Sequence, residues 1–239
     1  MRLLIIDTSS VVSVAAVTLP EDGATPTVHS TFTGTGTHRH AEDLTPAVAR
    51  VLSEAGWDRP DAVLAGEGPG PFTGLRVGLA TAQTLAFAWD VPVFGACSLD
   101  AVAYAVAQQH HEPFIATLDA RRKELYWACY DAQGTRTDAP HVGKVAVLPD
   151  LPVAGAGVTA RAQEIADAGV RVLDGTATQV ADAADLALAW WAVGAPRTAP
   201  VARYLRESDA VVPSSMAGVD THAGAAPSAG VDTRPGAAR

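Results

Sequence analysis

The sequence has few cysteines, few lysines and no long apolar run, and each shortage excludes a class of protein. Only Cys97 and Cys129 occur among 239 residues, and they do not form a C-x-x-C pair. A disulfide scaffold and a structural zinc site are therefore excluded as the basis of the fold. No apolar run approaches the roughly 18 residues of a membrane-spanning helix. We expect a reduced, cytoplasmic protein with no membrane segment.

Positive charge is also scarce. The formal net charge is −9, and the only lysines are Lys123 and Lys144. A groove that follows a phosphate backbone is therefore not expected, since such grooves depend on clustered Lys and Arg. Any nucleic acid that the protein serves would be held mainly by another molecule. The length fits one ordinary domain or two small ones. A chain of this length buries enough surface to fold without disulfide bonds or a structural metal.

The hydrophobic pattern predicts three strands followed by alternating helices and strands. Strands are predicted at 3–6, 11–18, 27–33, 62–66, 114–118, 124–130, 145–148 and 171–173. Helices are predicted at 41–55, 73–89, after Ser98 (capped with the help of Asp100), at 159–168 and at 180–193. This order is typical of ribonuclease-H-like and actin-like folds. Two diverged copies of that unit fill about 200 residues, as expected for two domains of ordinary size.

We therefore predict an α/β fold with two lobes, in which mixed sheets are flanked by helices. The N-terminal lobe is placed at 1–109 and the C-terminal lobe at 110–207. From residue 208 the composition becomes rich in Ala, Gly, Pro, Ser, Asp and Thr, and the segment 217–221 recurs at 229–233. Because this tail contains little that could be buried, we predict that 208–239 is disordered.

A glycine- and proline-rich segment from Gly66 to Gly78 follows a predicted strand and opens a predicted helix. Glycine loops in that position often bind phosphate. However, G-x-G-x-x-G requires glycine where Thr73 stands, and the P-loop spacing is absent. Pro69 and Pro71 also remove amide donors that a phosphate cradle would use. A direct phosphate-binding role is therefore not favoured.

Small residues form a stripe along the helix that this segment opens. Gly74, Gly78, Ala82 and Ala86 are spaced four apart. Glycine inside a helix costs about 1 kcal/mol relative to alanine, so two glycines indicate a close approach by another backbone. Two alternatives stay open. The stripe packs against helix 41–55 of the same domain, or both helices also face a partner protein.

Three motifs and one strand end together resemble the TsaB (YeaZ) family. They are Ile6-Asp7-Thr8, His40-Ala41-Glu42-Asp43-Leu44-Thr45-Pro46, Gly68-Pro69-Gly70-Pro71-Phe72-Thr73-Gly74-Leu75-Arg76-Val77-Gly78 and Leu118-Asp119-Ala120-Arg121-Arg122. The resemblance covers residues 1–130 well and the rest weakly, although 202–206 is similar to the family's C-terminal signature. Pro71 stands where the family usually has Ser, which leaves contacts at that position open.

The resemblance implies an actin-like (ASKHA) fold and a non-catalytic scaffold role. The family acts in bacterial synthesis of N6-threonylcarbamoyladenosine (t6A) on tRNA, with the catalytic paralogue TsaD and the ATPase TsaE as partners. The tRNA would be reached indirectly. The expected partner interface, on two N-terminal helices, is Leu44, Val48, Leu52, Gly74, Leu75, Gly78 and Ala82. The expected motif loop is His40, Glu42, Gly68, Pro69, Gly70, Phe72, Thr73 and Arg76.

Asp7 is the best candidate for nucleotide chemistry. It ends the first strand, where actin-like ATPases keep a carboxylate near Mg²⁺ and phosphate. Thr8 follows it. Asp119, Arg121 and Arg122 form the second candidate group, for contact with nucleotide, RNA or the ATPase partner. We expect no cofactor of the chain's own, and residual nucleotide binding in the cleft stays open.

Two other functions are weighed against the scaffold role: a stand-alone actin-like ATPase or small-molecule kinase that uses Asp7, and a homodimeric interaction module. A metal site is not expected, because the pairs His38/His40 and His110/His111 lack the spacing that lets two imidazoles reach one ion from a helix. A protease is rejected, since no serine lies in G-x-S-x-G and H-E-x-x-H is absent.

Overall fold

The first sheet of this computed structural model, which describes residues 1–21, 24–35 and 40–206, has five strands. They are β1 (Arg2–Asp7), β2 (Ser13–Thr18), β3 (Thr27–Thr33), β4 (Ala62–Gly66) and β5 (Val93–Ala96), in the spatial order β3-β2-β1-β4-β5. β1, β2 and β3 form an antiparallel meander. β4 pairs parallel to β1, and β5 parallel to β4.

The second sheet repeats this topology in a smaller form. Its strands are β6 (Phe114–Asp119), β7 (Leu125–Tyr130), β8 (His141–Gly143) and β9 (Val153–Ala154), in the order β8-β7-β6-β9. β6, β7 and β8 are antiparallel neighbours, and β9 is parallel to β6. β6 therefore occupies in the second sheet the position that β1 occupies in the first.

Six helices cover the two sheets. They are α1 (His40–Ala55), α2 (Phe72–Trp89), α3 (Ser98–Ala107), α4 (Ala156–Ala160), α5 (Ala162–Asp167) and α6 (Ala183–Ala192). α1 and α2 share a core with one face of the first sheet. α3 and α6 pack against each other and share a core with both sheets. Residues of α4 and α5 share the third core with the outer face of the second sheet.

The alternation of β1 explains the layers. Leu3 and Ile5 belong to the core that contains α3 and α6, whereas Leu4 and Ile6 belong to the core under α1 and α2. Successive side chains of a strand point to opposite faces, so a strand covered on both faces is apolar at every position. The short apolar run at 3–6 therefore predicted the centre of the sheet correctly.

The actin-like α/β fold class is confirmed, and four local predictions are wrong. Residues 145–148 are not a strand, because a 3₁₀ helix occupies Val145–Val147 and the strand is β8. Residues 171–173 contribute only an isolated bridge, from Val172 to Val153. The predicted helix 159–168 is two short helices. Ser98 does not cap α3, since its hydroxyl bonds to Asp7.

Other predictions lie beyond what the structure describes. The tail at 208–239 and His38 lie outside the described residues, and the lobe boundary at 109/110 stays a prediction. Within the described ranges, no helix combines the length and the apolar character needed to cross a bilayer.

Candidate functional site

Asp7 lies at the carboxyl end of β1 and is completely buried. Its Oδ1 accepts hydrogen bonds from the backbone N–H of Ser9 at 2.8 Å and from Ser9 Oγ at 2.6 Å. Its Oδ2 accepts a hydrogen bond from Ser98 Oγ at the start of α3. Burial raises the pKa of Asp7, while the hydrogen bonds from Ser9 and Ser98 oppose that shift. Both carboxylate oxygens are thus engaged by the chain's own donors.

The glycines of the motif make room for the three residues that end and follow β1. An added Cβ would lie 1.8 Å from Asp7 Oδ2 at Gly66, 2.7 Å from Ser9 O at Gly70 and 2.2 Å from Thr8 Oγ1 at Gly78. All three separations are shorter than any ordinary non-bonded contact. The motif is therefore glycine-rich because its backbone lies directly on the end of β1.

Hydrogen bonds hold the same loop in place. Thr8 Oγ1 donates to the carbonyl of Gly74 at 2.8 Å. The N–H of Gly68 donates to Ser98 Oγ at 3.0 Å, and the N–H of Ser98 donates to the carbonyl of Gly68 at 2.8 Å. Pro69 and Pro71 have no N–H to donate. This use of the loop's polar groups agrees with the sequence argument against a phosphate cradle.

Pro71 is the N-cap residue of α2, and its side chain makes no capping hydrogen bond. A serine at an N-cap accepts a hydrogen bond from an N–H of the first turn. The loss of the family's usual Ser at this position therefore removes a helix cap, and the loop keeps its place through the contacts of its glycines.

Glu67 is a buried anchor that sequence analysis missed. Its side chain is 6% exposed, and it accepts hydrogen bonds from the N–H of Val201 at 3.0 Å and from Arg203 Nε at 2.9 Å. Its carbonyl accepts the N–H of Arg203 at 2.8 Å. We call residues 198–206 the C-terminal strap. The sequence did contain one indication of the role of Glu67, which is a charged residue directly after a buried strand.

The C-terminal strap also joins the motif loop to the second sheet. The ring of Tyr204 lies 4.8 Å from the ring of Phe72, measured between centroids. Arg206 Nη1 donates to the carbonyl of Ala120 at 2.8 Å, and the same guanidinium forms an ion pair with Glu124. One short segment therefore contacts the start of α2 and the turn between β6 and β7.

A cleft of about 480 Å³ opens above the ends of β1 and β6. Its lining residues are Ser9, Ser10, Val11, Pro71, Thr73, Gly74, Leu118, Asp119, Arg121, Ala156 and Val180. The cleft brings Thr73 and Gly74 at the start of α2 together with Asp119 and Arg121, residues that the sequence analysis had assigned to separate groups. Asp7, Thr8 and Arg122 are not among these lining residues.

The turn between β6 and β7 has an unusual backbone. Arg121, Arg122 and Lys123 have φ angles of 59°, 49° and 62°, in the left-handed region that non-glycine residues seldom adopt. Asp119 Oδ1 accepts the N–H of Arg121 at 2.9 Å and lies 3.0 Å from a guanidinium nitrogen of Arg161. All three residues of the turn are exposed, so the turn displays three consecutive cations.

Neither cysteine is prepared for nucleophilic chemistry. Burial raises the pKa of the Cys97 thiol to about 12 and that of the Cys129 thiol to about 11. Reactive cysteines instead have a lowered pKa, which supplies thiolate at neutral pH. Both residues are therefore structural in this fold.

Comparison with known proteins places these features in a family. Residues 25–220 match the family model described as TsaD, tRNA N6-adenosine threonylcarbamoyltransferase. The solved structure of YeaZ from Pseudomonas aeruginosa is similar with a TM-score of 0.64 at 30% identity, over 81% of this chain and 95% of that chain. The chain belongs to the TsaB (YeaZ) family.

Curated relatives agree with this assignment. The tRNA threonylcarbamoyladenosine biosynthesis protein TsaB of Escherichia coli is 35% identical over 133 residues, which are 54% of this chain and 55% of that protein. An uncharacterized protein of Mycobacterium tuberculosis is 47% identical over 122 residues, which are 49% of this chain and 56% of that protein. The chain spans about half the length of these curated relatives.

In this member of the TsaB family, the seven residues assigned to a partner interface are all buried inside the chain. They are Leu44, Val48 and Leu52 on α1, and Gly74, Leu75, Gly78 and Ala82 on α2. The small-residue stripe is thus buried, and its glycines lie against Thr8 at the end of β1; packing of the stripe against helix 41–55 stays a prediction. A partner must contact the other faces of α1 and α2, and the pairing itself stays a prediction.

The remaining motif residues lie at the two helix starts. His40 is the first residue of α1, and Glu42 is exposed in its first turn. Thr73 and Arg76 are exposed on α2, and Phe72 is half-buried. The Arg76 guanidinium lies 3.8 Å from the centre of the Phe72 ring. Glu42, Thr73 and Arg76 therefore lie on the surface, and the glycines of the motif are buried.

Proposed function

We propose that this chain is a non-catalytic scaffold subunit of the cytoplasmic complex that forms t6A next to the anticodon of tRNA. It would pair with the catalytic paralogue TsaD, and the ATPase TsaE would join them. The name of the E. coli relative and the description of the matching family model support a role in this modification.

The enclosure of Asp7 carries the non-catalytic part of the proposal. A carboxylate that serves Mg²⁺ and phosphate must offer oxygens to the ion. Here the donors of Ser9 and Ser98 occupy both oxygens, and the absence of a side chain at Gly66 is what leaves room for Oδ2. This arrangement supports a structural role for Asp7 instead of phosphoryl transfer.

The exposed faces of α1 and α2 support pairing with another protein. Six exposed residues form what we call the outer face. They are Thr45, Ala49 and Ser53 on α1, and Ala80, Thr84 and Phe87 on α2. Both helices cover the same side of the first sheet, so these residues lie on one side of the molecule. Small side chains at helical spacing allow a partner helix to approach closely. Phe87 is 89% exposed and offers an apolar anchor.

The test is size-exclusion chromatography with light scattering on the full chain, alone and mixed with TsaD from the same organism. We expect a heteromeric peak with the wild-type chain. Ala80→Arg should abolish that peak, because a long charged side chain separates the helices. Phe87→Ala should weaken the complex by about tenfold or more, as for other buried aromatic anchors.

Ala166→Arg on α5 is the matched control, since it makes the same change at an exposed helical alanine that does not belong to the outer face. It should leave the complex unchanged. If all three variants pair equally well with TsaD, the outer face is not the interface. If the wild-type chain forms only homodimers and ignores TsaD, the chain is an interaction module of another kind.

The second candidate is a stand-alone actin-like ATPase or small-molecule kinase that uses Asp7. Its nucleotide would occupy the cleft of about 480 Å³, although Asp7 is not among the residues that line it. Calorimetric titration with ADP and Mg²⁺ tests residual nucleotide binding in the cleft. ATP turnover by the isolated chain that is lost in Asp7→Asn would support the enzyme. We expect no such turnover.

A further inference from the structure

An aromatic pair and a cation form a ladder on the surface at the start of α2. The rings of Phe72 and Tyr204 lie 4.8 Å apart, and the Arg76 guanidinium lies 3.8 Å from the centre of the Phe72 ring. Arg76 is exposed, and Tyr204 is 41% exposed. Tyrosine rings and arginine guanidinium planes are surfaces on which unpaired bases stack. The ladder has both.

The cationic turn lies beside this ladder. Arg206 binds the carbonyl of Ala120, which directly precedes the turn. Tyr204 is two residues from Arg206, so an extended chain separates their Cα atoms by at most about 7 Å. On the other side, Arg121 and Thr73 line the same cleft, and Thr73 adjoins Phe72. The turn and the ladder therefore form one continuous surface.

The acidic residues around the turn are neutralised locally. Asp119 lies 3.0 Å from a nitrogen of Arg161, and Glu124 forms an ion pair with Arg206. Asp119 also pairs with Arg121. Together with Arg161 and Arg206, the segment 119–124 brings five formal cations to two carboxylates. Although the whole chain has a net charge of −9, this part of its surface is positive.

The backbone of the turn displays those cations in a conformation that is unfavourable for ordinary residues. Three consecutive left-handed, non-glycine residues cost of order 1–3 kcal/mol each, and such strain concentrates at functional sites. Glycine would adopt these angles without strain. The turn instead keeps Arg121, Arg122 and Lys123, which points to a function for their charge.

We propose that this basic–aromatic surface, made of Phe72, Arg76, Arg121, Arg122, Lys123 and Tyr204, binds single-stranded RNA directly. The turn would contact phosphates, and Tyr204 with Arg76 would stack on bases. The identity of the RNA rests on the proposed function, which makes it the anticodon loop of a tRNA. Sequence analysis named Arg121 and Arg122 as candidates for contact with RNA, although the family resemblance implied that the tRNA is reached indirectly.

The test measures fluorescence anisotropy of a labelled anticodon stem-loop RNA, titrated with the full chain alone and in complex with TsaD. The chain's two lysines provide a matched pair of variants, since both are exposed. Lys123→Glu should weaken binding by about fivefold or more and lower the slope of log K against log salt by about 0.7, the value for one phosphate contact to a single strand. Lys144→Glu should change neither.

A second pair of variants tests the stacking. Tyr204→Ala should weaken RNA binding by about tenfold, within the range found for loss of one base-stacking aromatic, with little change in the salt slope because no charge is removed. Val201→Ala, at a more exposed position of the same strap, should have no effect. Arg76→Ala should behave like Tyr204→Ala and also lower the salt slope.

Each variant is also tested for pairing with TsaD by light scattering. Normal pairing with unchanged RNA affinity in Lys123→Glu and Tyr204→Ala overturns this inference and leaves the proposed function standing. Loss of binding to TsaE with RNA binding intact also overturns it, since the surface would then dock a protein. Failure of the wild-type chain to pair with TsaD contradicts the proposed function, and the titration of the chain alone still decides the RNA surface.

Discussion

The ends of β1 and β6 occupy equivalent positions in the two sheets, yet their surroundings are opposite. Each strand is antiparallel to the next strand and parallel to a later one, and each ends in an aspartate. Asp7 is completely buried and accepts hydrogen bonds from neutral donors. Asp119 has a side chain 30% exposed and is paired with Arg161 and Arg121.

The difference shows how one topology can support two roles. Close packing by three glycines encloses the end of β1 and makes it part of the core. The end of β6 keeps an open, charged turn that a ligand can reach. The enclosure of Asp7 therefore leaves the end of β6 as the more accessible of the two equivalent positions.

The largest expected effect tests the enclosure of β1. Gly78→Leu should lower the free energy of unfolding by at least about 3 kcal/mol, or prevent folding, because its Cβ would lie 2.2 Å from Thr8 Oγ1. Thermal unfolding followed by circular dichroism measures this. Ala80→Leu, exposed on the same helix, should leave the melting temperature unchanged.

A double-mutant cycle sharpens this prediction if Gly78→Leu does not fold. Gly78→Ala should destabilise the wild-type chain but do less harm in a Thr8→Ala background, since the clashing hydroxyl is then gone. Strictly additive effects would show that Gly78 does not face Thr8.

The C-terminal strap is anchored beside both strand ends, and its two anchors should differ in strength. Glu67→Ala should cost about 2–3 kcal/mol, because it removes two hydrogen bonds and an ion pair of a buried carboxylate whose partner Arg203 is partly exposed. Arg206→Ala should cost about 1 kcal/mol, since its partner Glu124 is 28% exposed, against 6% for Glu67.

Hydrogen–deuterium exchange of residues 198–206 tests the same comparison locally. Glu67→Ala should increase exchange along the whole strap, whereas Arg206→Ala should increase it mainly near the turn. Equal exchange in the two variants would contradict the ranking of the anchors.

The two aspartates provide the smallest and most direct comparison. Asp7→Asn should lower stability by about 1–3 kcal/mol, because an amide cannot accept from all of the donors that face the carboxylate. Asp119→Asn should cost less than about 1 kcal/mol, as for other partly exposed ion pairs. Chemical denaturation of both variants measures these values.

The pH dependence distinguishes the two aspartates further. Because burial raises the pKa of Asp7 in the folded state, the unfolded chain releases this proton first as pH rises. The contribution of Asp7 to stability is therefore greatest below the ordinary carboxyl range and declines as pH rises toward the raised folded pKa. The difference in free energy of unfolding between the wild-type chain and Asp7→Asn should therefore become smaller as pH rises through that range. A gap that widens instead would mean that the buried carboxylate is favoured in its charged form.

Local patterns predicted much of the fold. The apolar runs located β1 and β4, the helical periodicity located α1 and α2, and the motifs indicated the family. Short elements were missed or misplaced, because β5, β8 and β9 have only two to four residues and carry too little pattern to distinguish a strand from a loop. β8 and β9 are the two outer strands of the second sheet, so its edges were predicted less well than its centre.

The candidate site was predicted only in part. Thr73, Gly74, Asp119 and Arg121 were each named as candidates, but only the structure shows that they line one cleft. The sequence left open which neighbour the small-residue stripe faces, because a helix face made of small side chains can pack against an element of the same chain or against a partner protein. Glu67 was missed, since its partner Arg203 is 136 residues away.

The amino-acid sequence by itself determined the order of the main elements, the family and the glycine-rich motif, because periodicity and turn chemistry depend on near neighbours. Tertiary structure decided that the glycines enclose Asp7, that the stripe packs inward, and that the strap brings Tyr204 and Arg206 between the motif loop and the cationic turn. Those contacts join residues from 59 positions apart, for Gly66 and Asp7, to 136 positions apart, for Glu67 and Arg203. They exist only when the sheets and helices are packed, since burial and close approach are properties of the assembled core.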